Sequence, residues 1–162
     1  MFKTDLRPDI RAQSVSEVTP ESLRSRGIDG VLVDLDDTLM SSSATEPATG
    51  VIEWLTSLKS AGIAVAILSN GHRDRVAGFA SLAGVPGIAM AGKPFASSFR
   101  RGLGLLGHPP IARTAMIGDQ LFTDVLGAKR AGLLTILVRP LSKGKLPHTR
   151  LARRLERMLL KE

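Results

Sequence analysis

An unbroken apolar run at residues 63–68 is the feature that most restricts the fold of this chain. Its length suits a strand, and the lack of alternation with polar residues is typical of a strand that is covered on both faces in a parallel sheet. A second run, at residues 30–35, contains one carboxylate near its end. Because parallel strands need crossover connections, which are usually helices, we expect strands and helices to alternate along the chain.

The remaining segments fit this alternation. Capping residues and helical spacing of apolar side chains predict helices at residues 19–26, from Pro47, at about 74–82, from Pro94 and at 122–131. Further strands are expected at residues 88–90, 114–117 and 134–138, and the segment before Thr19 is expected to be irregular. The predicted fold class is α/β, a Rossmann-like three-layer sandwich with a mainly parallel central sheet.

Composition restricts the class of protein. A chain of 162 residues with 43% hydrophobic content suits one compact domain, and we expect a single domain over residues 1–162. The absence of cysteine excludes disulfides, thiolate metal sites and a cysteine nucleophile. The N-terminus lacks the apolar core of a signal peptide, and no run approaches the roughly 18 apolar residues of a membrane span. We therefore expect a cytoplasmic protein.

Most of the net charge of +7 lies in the C-terminal tail, where residues 139–162 hold eight basic and two acidic side chains. A basic helix is expected at about residues 148–161. One interpretation is peripheral contact with an anionic membrane surface at the inner face. The other is an ordinary last helix that packs on the sheet with a solvated arginine face. Aromatic residues make up only 4% of the chain, which argues against nucleic acid as a partner.

Polar side chains follow four of the predicted strands. They are Asp34, Asp36, Asp37 and Thr38, then Ser69 and Asn70, then Lys93, and finally Asp119 and Asp124. Because parallel strands end at the same edge of a sheet, these side chains are expected to converge on one crevice. Any one of them alone also suits a helix cap or a turn. Neighbouring buried carboxylates repel one another unless a positive group compensates them, so the crevice is expected to hold a cation, a reacting group or both.

Four motifs occur in order, namely D-L-D-D-T at residues 34–38, S-N at 69–70, G-K-P at 92–94 and G-D-Q-L-F-T-D at 118–124. Together they resemble the haloacid dehalogenase (HAD) superfamily of phosphatases. R-P-D-I-R-A-Q-S-V at residues 7–15, T-I-L-V-R-P at 135–140 and R-R-L-E-R at 153–157 are more narrowly similar to the YqeG-type subgroup of subclass IIIA, which belongs with the phosphatidylglycerophosphate phosphatase-like members. Since Asp34 and Ser69 are only 35 positions apart, a HAD-like fold without a cap domain is expected.

The resemblance implies a phosphomonoester hydrolase that forms an aspartyl-phosphate. Asp34 is the expected nucleophile and Asp36 the expected general acid and base. Mg²⁺ is the expected cofactor, bound by Asp34, Asp119 and the backbone carbonyl of Asp36.

The same resemblance assigns the surrounding residues. Ser69, Asn70 and Lys93 are expected to bind the phosphoryl group. Asp124 is expected to pair with Lys93 and to hold metal-bound water, and Thr38 to hydrogen-bond within its own loop. Asp37 is given no catalytic role.

Three functions remain open at this point. The first is a phosphatase for phosphatidylglycerophosphate or a related lipid phosphate, with an anionic lipid head group as partner. The second is a phosphatase for soluble nucleotides or sugar phosphates, and the third is a non-catalytic HAD-like module that binds nucleic acid or protein through the basic tail. The YqeG-type pattern continues after the first motif with an apolar segment that contains proline and tryptophan, whereas residues 40–43 read M-S-S-S here. This departure puts the lipid substrate in question.

Overall fold

The computed structural model describes residues 6–142, and a sheet of six parallel strands lies at its centre. The strands are β1 Ile10–Ala12, β2 Gly30–Val33, β3 Ala64–Leu68, β4 Gly87–Ile88, β5 Thr114–Gly118 and β6 Leu134–Val138. Their order across the sheet is β1-β6-β5-β2-β3-β4, and every neighbouring pair is parallel. The predicted α/β class with a mainly parallel sheet is confirmed.

Helices connect the strands. They are α1 Pro20–Ser25, α2 Val51–Ser60, α3 Arg73–Ala83, α4 Ala96–Leu105 and α5 Gly127–Ala131. Short 3-10 turns lie at Val15–Glu17 and Ile111–Arg113, and a wider π-helical turn, Leu121–Leu126, precedes α5. The helix predicted over residues 122–131 therefore begins with a π-helical turn, a feature that is frequent at functional sites.

The sheet has an apolar core on each face. Val31 and Val33 of β2 belong to the cluster that includes Phe79 of α3, whereas Leu32 between them packs in the cluster that includes Phe99 of α4. Successive side chains of a strand point to opposite faces. A strand covered on both faces must therefore be apolar at every position, which explains the uninterrupted runs in the sequence.

The first strand is a correction to the sequence analysis, which expected an irregular segment before Thr19. Ile10–Ala12 pairs with β6 at the sheet edge. Asp9 fastens it there, because its Oδ2 accepts from the backbone N–H of Thr135 at 2.8 Å and from the Thr135 hydroxyl at 2.8 Å. The strand is three residues long, too short to show an alternating pattern.

Two predicted helix starts are also corrected. The helix expected from Pro47 begins at Val51, after Gly50, which has a φ of 80°. Residues 48–51 instead form a turn that the Val51 N–H closes by donating to the Ala48 carbonyl at 3.1 Å, and the Ala48 N–H donates to the Leu39 carbonyl at 2.9 Å. The helix expected from Pro94 begins at Ala96.

The order of the strands determines where a ligand can bind. The chain runs from β2 outward to β3 and β4, and then returns to β5 on the other side of β2. In open parallel sheets, the crevice at such a reversal is the usual ligand site. The carboxyl ends of β2 and β5 therefore frame the expected crevice.

The sequence raised two expectations about membranes, and the described residues bear on one of them. Among the helices of residues 6–142, none has the length and apolar character needed to cross a membrane. The basic helix predicted at about residues 148–161 lies outside the described residues.

Candidate active site

Three carboxylates share one pocket at the carboxyl ends of β2 and β5. Asp34 follows β2 directly, and its N–H continues the ladder by donating to the Ile117 carbonyl of β5 at 2.9 Å. Asp119 follows β5. Asp34, Asp119 and Asp124 each place an oxygen within 4.8 Å of the others. All three side chains are buried, so their charges repel one another with little screening by water.

Lys93 is the cation that reaches into this group from the loop after β4. Its Nζ donates to Asp34 Oδ1 at 3.0 Å and to Asp124 Oδ1 at 2.6 Å. The predicted ion pair between Lys93 and Asp124 is therefore confirmed. The Lys93 side chain is only 1% exposed, so it brings one positive charge into a pocket that holds three carboxylates.

The pKa values express this imbalance. Burial raises the pKa of Asp34 to about 7, with Lys93 opposing the rise and the charge of Asp124 adding to it. Burial also raises the pKa of Asp119 to about 9, and the charges of Asp34 and Asp124 add to the effect. Burial disfavours the charge on Lys93, but Asp124 and Asp34 outweigh it and raise the lysine pKa above its usual value. The pocket therefore has more negative charge than one lysine balances.

Asp34 and Asp119 are the members best placed to bind a cation directly. Asp124 has both oxygens engaged, because Oδ1 accepts from Lys93 and Oδ2 accepts from the Gln120 N–H at 3.1 Å. Gly118, the last residue of β5, leaves the space for this side chain, since a Cβ there would lie 2.2 Å from Asp124 Oδ2. Asp124 is thus held in place by its neighbours.

Ser69 and Asn70 end β3 beside this pocket. Ser69 is fully buried, and its Oγ accepts from the Gly71 N–H at 3.0 Å. The Asn70 side chain braces the lysine loop, because Oδ1 accepts from the N–H groups of Gly92 at 3.0 Å and Lys93 at 2.8 Å. The Asn70 side chain is therefore engaged in holding the loop that carries Lys93.

Thr38 makes a contact that the sequence analysis did not expect. Its hydroxyl donates to Asp119 Oδ1 at 3.3 Å, across to the loop after β5, rather than within its own loop. Thr38 is 3% exposed, and a buried hydroxyl needs a partner. The bond links the loops that follow the two central strands.

Asp36 leaves the buried cluster and pairs with an arginine that sequence reasoning missed. Its Oδ1 accepts from Arg75 Nε at 2.6 Å, and the two side chains are 32% and 25% exposed. Arg75 lies in the first turn of α3, 39 positions further along the chain. The ion pair is therefore part-buried, at the rim of the buried cluster.

Asp37 holds the loop that follows the first motif. Its φ of 61° is in the left-handed region, which aspartate tolerates better than most residues. Its Oδ1 accepts from the Ser42 N–H at 3.0 Å and from the Ser142 hydroxyl, and its carbonyl accepts from the Leu141 N–H at 2.9 Å. No local sequence pattern predicts this contact, which joins two distant segments.

Comparison with known proteins shows which proteins this chain is similar to. A family described as HAD-hydrolase-like matches residues 90–153. A Bacillus subtilis (strain 168) protein named probable phosphatase YqeG is 37% identical over 160 residues, which cover 99% of this chain and 92% of that protein.

Two solved structures share the fold at lower sequence identity than the Bacillus subtilis protein. A HAD-superfamily hydrolase from Ehrlichia chaffeensis matches with a TM-score of 0.59 at 17% identity, over 80% of this chain and 98% of the other. The cobalt-bound deoxy-D-mannose-octulosonate 8-phosphate phosphatase YrbI from Haemophilus influenzae matches with a TM-score of 0.54 at 19% identity, over 84% and 89% of the two chains. At these identities the likeness is one of fold.

Proposed function

Since this chain belongs to the family of HAD-like hydrolases that includes the Bacillus subtilis probable phosphatase YqeG, we propose that it is a phosphatase that hydrolyses phosphomonoesters through an aspartyl-phosphate. The observation that carries the proposal is the buried Lys93, bonded to both Asp34 and Asp124. A lysine held at 3.0 Å from Asp34 Oδ1 would also stand beside any phosphoryl group that Asp34 attacks.

The reaction has two balanced steps. In the first, a carboxylate oxygen of Asp34 attacks phosphorus, the bond to the leaving oxygen breaks, and Asp36 gives that oxygen a proton. In the second, Asp36 takes a proton from water, the water oxygen attacks phosphorus, and the Asp34 carboxylate leaves with its electron pair. Free phosphate is released and both side chains return to their starting states.

Three donors are available for the phosphoryl oxygens. Lys93 supplies a full positive charge, Ser69 a hydroxyl, and the backbone at Asn70 an N–H group. Donors fixed before the reaction stabilise the charge that develops in the transition state without reorganising. In a pocket this buried the effect is stronger than in water.

We propose Mg²⁺ as the cofactor, held by Asp34, Asp119 and the backbone carbonyl of Asp36. The fit rests on the pocket itself, since three carboxylates face one lysine and burial raises the pKa of Asp34 and Asp119. Carboxylate oxygens are the ligands that Mg²⁺ prefers. When bound, the ion would neutralise the repulsion between the Asp34 carboxylate and an anionic phosphate. The Haemophilus influenzae phosphatase of the same fold is a cobalt-bound form.

Removing the metal tests both proposals. We expect the protein to release phosphate from p-nitrophenyl phosphate with Mg²⁺, to lose at least about 100-fold of this rate in a chelator, and to recover it when Mg²⁺ is restored. Mg²⁺ should also raise the melting temperature of the wild type and have less effect on an Asp119→Asn variant. Turnover that is indifferent to the chelator would contradict the metal assignment. A folded protein that hydrolyses no phosphomonoester would contradict the enzyme assignment.

For the substrate, we propose a phosphate carried by a lipid, such as phosphatidylglycerophosphate. The protein would then be cytoplasmic and would bind peripherally to the inner face of the membrane. Three large apolar side chains support this choice, with exposures of 59% for Met90, 72% for Phe95 and 51% for Phe122. Each lies within three positions of Lys93 or Asp119 in the sequence, Met90 and Phe95 between β4 and α4 and Phe122 in the π-helical turn after β5. Single exposed apolar residues are ordinary, but three of them so near in sequence to Lys93 and Asp119 favour a partner with an apolar part.

Substrate profiling decides between a lipid and a soluble phosphate. We expect turnover of phosphatidylglycerophosphate in mixed micelles to exceed that of glycerol phosphate by about tenfold or more, a preference of the size that one buried apolar contact gives. A Phe95→Ser/Met90→Ser variant should lower the ratio of phosphatidylglycerophosphate turnover to glycerol phosphate turnover. Ile111→Ser is the matched control. Ile111 is 47% exposed and lies before β5, at the amino ends of the parallel strands and so on the side away from the site. Equal turnover of the two substrates would favour the soluble sugar or nucleotide phosphate alternative.

A further inference from the structure

We propose that Arg75 is a positioning residue for the phosphatase reaction, which orients the Asp36 carboxylate toward the substrate and fixes the serine segment, residues 41–44, beside it. The inference rests on the proposed function, because Asp36 acts there as the proton donor. Arg75 itself is not proposed to touch the substrate.

The guanidinium of Arg75 makes three short hydrogen bonds in different directions. Nε donates to Asp36 Oδ1 at 2.6 Å, Nη1 to the Ala44 carbonyl at 2.6 Å and Nη2 to the Ser41 carbonyl at 2.7 Å. A planar group with donors at fixed angles imposes an orientation on its acceptors. One side chain therefore sets the position of Asp36 and of both ends of the serine segment.

The second oxygen of Asp36 faces the phosphate-binding side of the pocket. A Cβ built on Gly71 would lie 2.7 Å from Asp36 Oδ2 and 3.1 Å from Ser69 Oγ. The two carboxylate oxygens are thus divided, with Oδ1 bound to Arg75 and Oδ2 next to the segment that ends β3. Oδ2 therefore lies where the reaction needs a proton donor for the leaving group. Because Gly71 has no side chain, the space around Oδ2 stays open.

The platform for Arg75 is rigid. The residue lies in the first turn of α3, and the next residue, Val76, is buried with Phe79 in the core beneath the helix. The ion pair is part-buried, so Arg75 contributes to both stability and orientation, and the melting temperature of each variant must be measured beside its rates. Its orienting effect is the one that bears on catalysis, since general acid catalysis requires the donor within hydrogen-bond reach of the leaving oxygen.

Leaving-group dependence tests the inference. p-Nitrophenolate leaves without much help from a proton, whereas an alkoxide needs one, so losing the oriented acid should affect alkyl phosphates more. The quantity to compare is kcat/KM, which reports the step that expels the leaving group, because Asp36 also serves as the base in the second step, which is the same for both substrates. For Arg75→Gln we expect kcat/KM for glycerol phosphate to fall by about 100-fold and that for p-nitrophenyl phosphate by less than about fivefold. Arg73→Gln is the matched control, because Arg73 is exposed on the same helix turn, and it should leave the ratio of the two rates unchanged.

A double variant and a conservative variant strengthen the test. Arg75→Gln should add little to the loss caused by Asp36→Asn, because residues that act through one another are not additive. Arg75→Lys keeps the charge but not the fork of donors, so it should shift the ratio in the same direction. If Arg75→Gln does not fold, the melting temperature and rate ratio of Arg75→Lys decide in its place.

The outcomes separate the inference from the function on which it rests. Equal losses of kcat/KM for both substrates would reduce Arg75 to a structural role, and a higher kcat/KM in Arg75→Gln would mean that the contact restrains Asp36. Either result overturns the inference while the phosphatase stands. A wild type that hydrolyses neither substrate removes the proposed function, and the inference with it.

Discussion

An Asp34→Asn variant is expected to lose phosphatase activity by at least about a thousandfold while keeping its fold, because a carboxamide cannot serve as the nucleophile. Asparagine has nearly the same shape, and its amide oxygen can still accept from Lys93. Asp34 is 6% exposed, so no large rearrangement of solvent is required. The loss should therefore appear in the rate of turnover and not in the amount of folded protein.

The pH dependence of stability gives this variant a second signature. Because burial raises the pKa of Asp34 to about 7 from its ordinary value of 3.8, the folded state holds this proton more tightly than the unfolded state. Without metal, the carboxyl therefore costs stability increasingly as the pH rises from about 4 to 7. The neutral asparagine avoids that cost. Metal-free Asp34→Asn should melt at or above the wild-type temperature at pH 8, and the difference should shrink at pH 5.

Phosphate release and metal-free thermal melts at the two pH values check both parts. Asp29→Asn is the matched control. Asp29 lies just before β2, at the amino ends of the parallel strands and away from the pocket, and pairs with Arg113 at 2.6 Å. It should retain full activity. Substantial turnover by Asp34→Asn would show that the nucleophile is another group.

The Lys93→Met variant is expected to lose both activity and stability. Removing one partner of a buried ion pair leaves an uncompensated charge and costs about 3–5 kcal/mol, and Lys93 stands between two carboxylates, Asp34 and Asp124. Loss of a fixed transition-state donor typically costs about 100- to 1000-fold in turnover. Methionine has a similar length and is apolar, so the change is one of charge and not of volume.

A double variant separates the two losses. Lys93→Met/Asp124→Asn removes one of the carboxylates that the lysine compensated, so part of the free energy of unfolding should return in urea denaturation at pH 8, whereas the turnover should not. If Lys93→Met unfolds at the same urea concentration as the wild type and turns over at the same rate, the lysine does not have the role we assign.

Much of the fold was predictable because its central strands are buried on both faces. Residues 63–68 and the run before Asp34 have to be apolar throughout, and this leaves a plain signal in the sequence. The site followed from the same signal, since polar residues at the ends of parallel strands meet at one edge. The edge strand β1 left no such signal, because it is short and depends on Asp9 reaching Thr135, 126 positions away.

The missed parts of the site depend on contacts that no local pattern encodes. A charged residue in the first turn of a helix, such as Arg75, is usually solvated, and its partner lies 39 positions earlier. The Thr38 bond to Asp119 spans 81 positions. Resemblance to a family identifies residues with a shared chemical role, but it does not show which neighbour orients each of them in one particular chain.

The attachment of Leu141 and Ser142 to Asp37 affects how this protein can safely be shortened. A deletion that removes the basic tail but ends before Leu141 would leave each of the four motifs intact and still take away partners of the loop next to Asp34. Lost activity in such a protein would then be read as evidence for a role of the tail, although the cause would be the loss of hydrogen bonds that hold the loop after β2. Truncations meant to examine the tail should therefore end after Ser142.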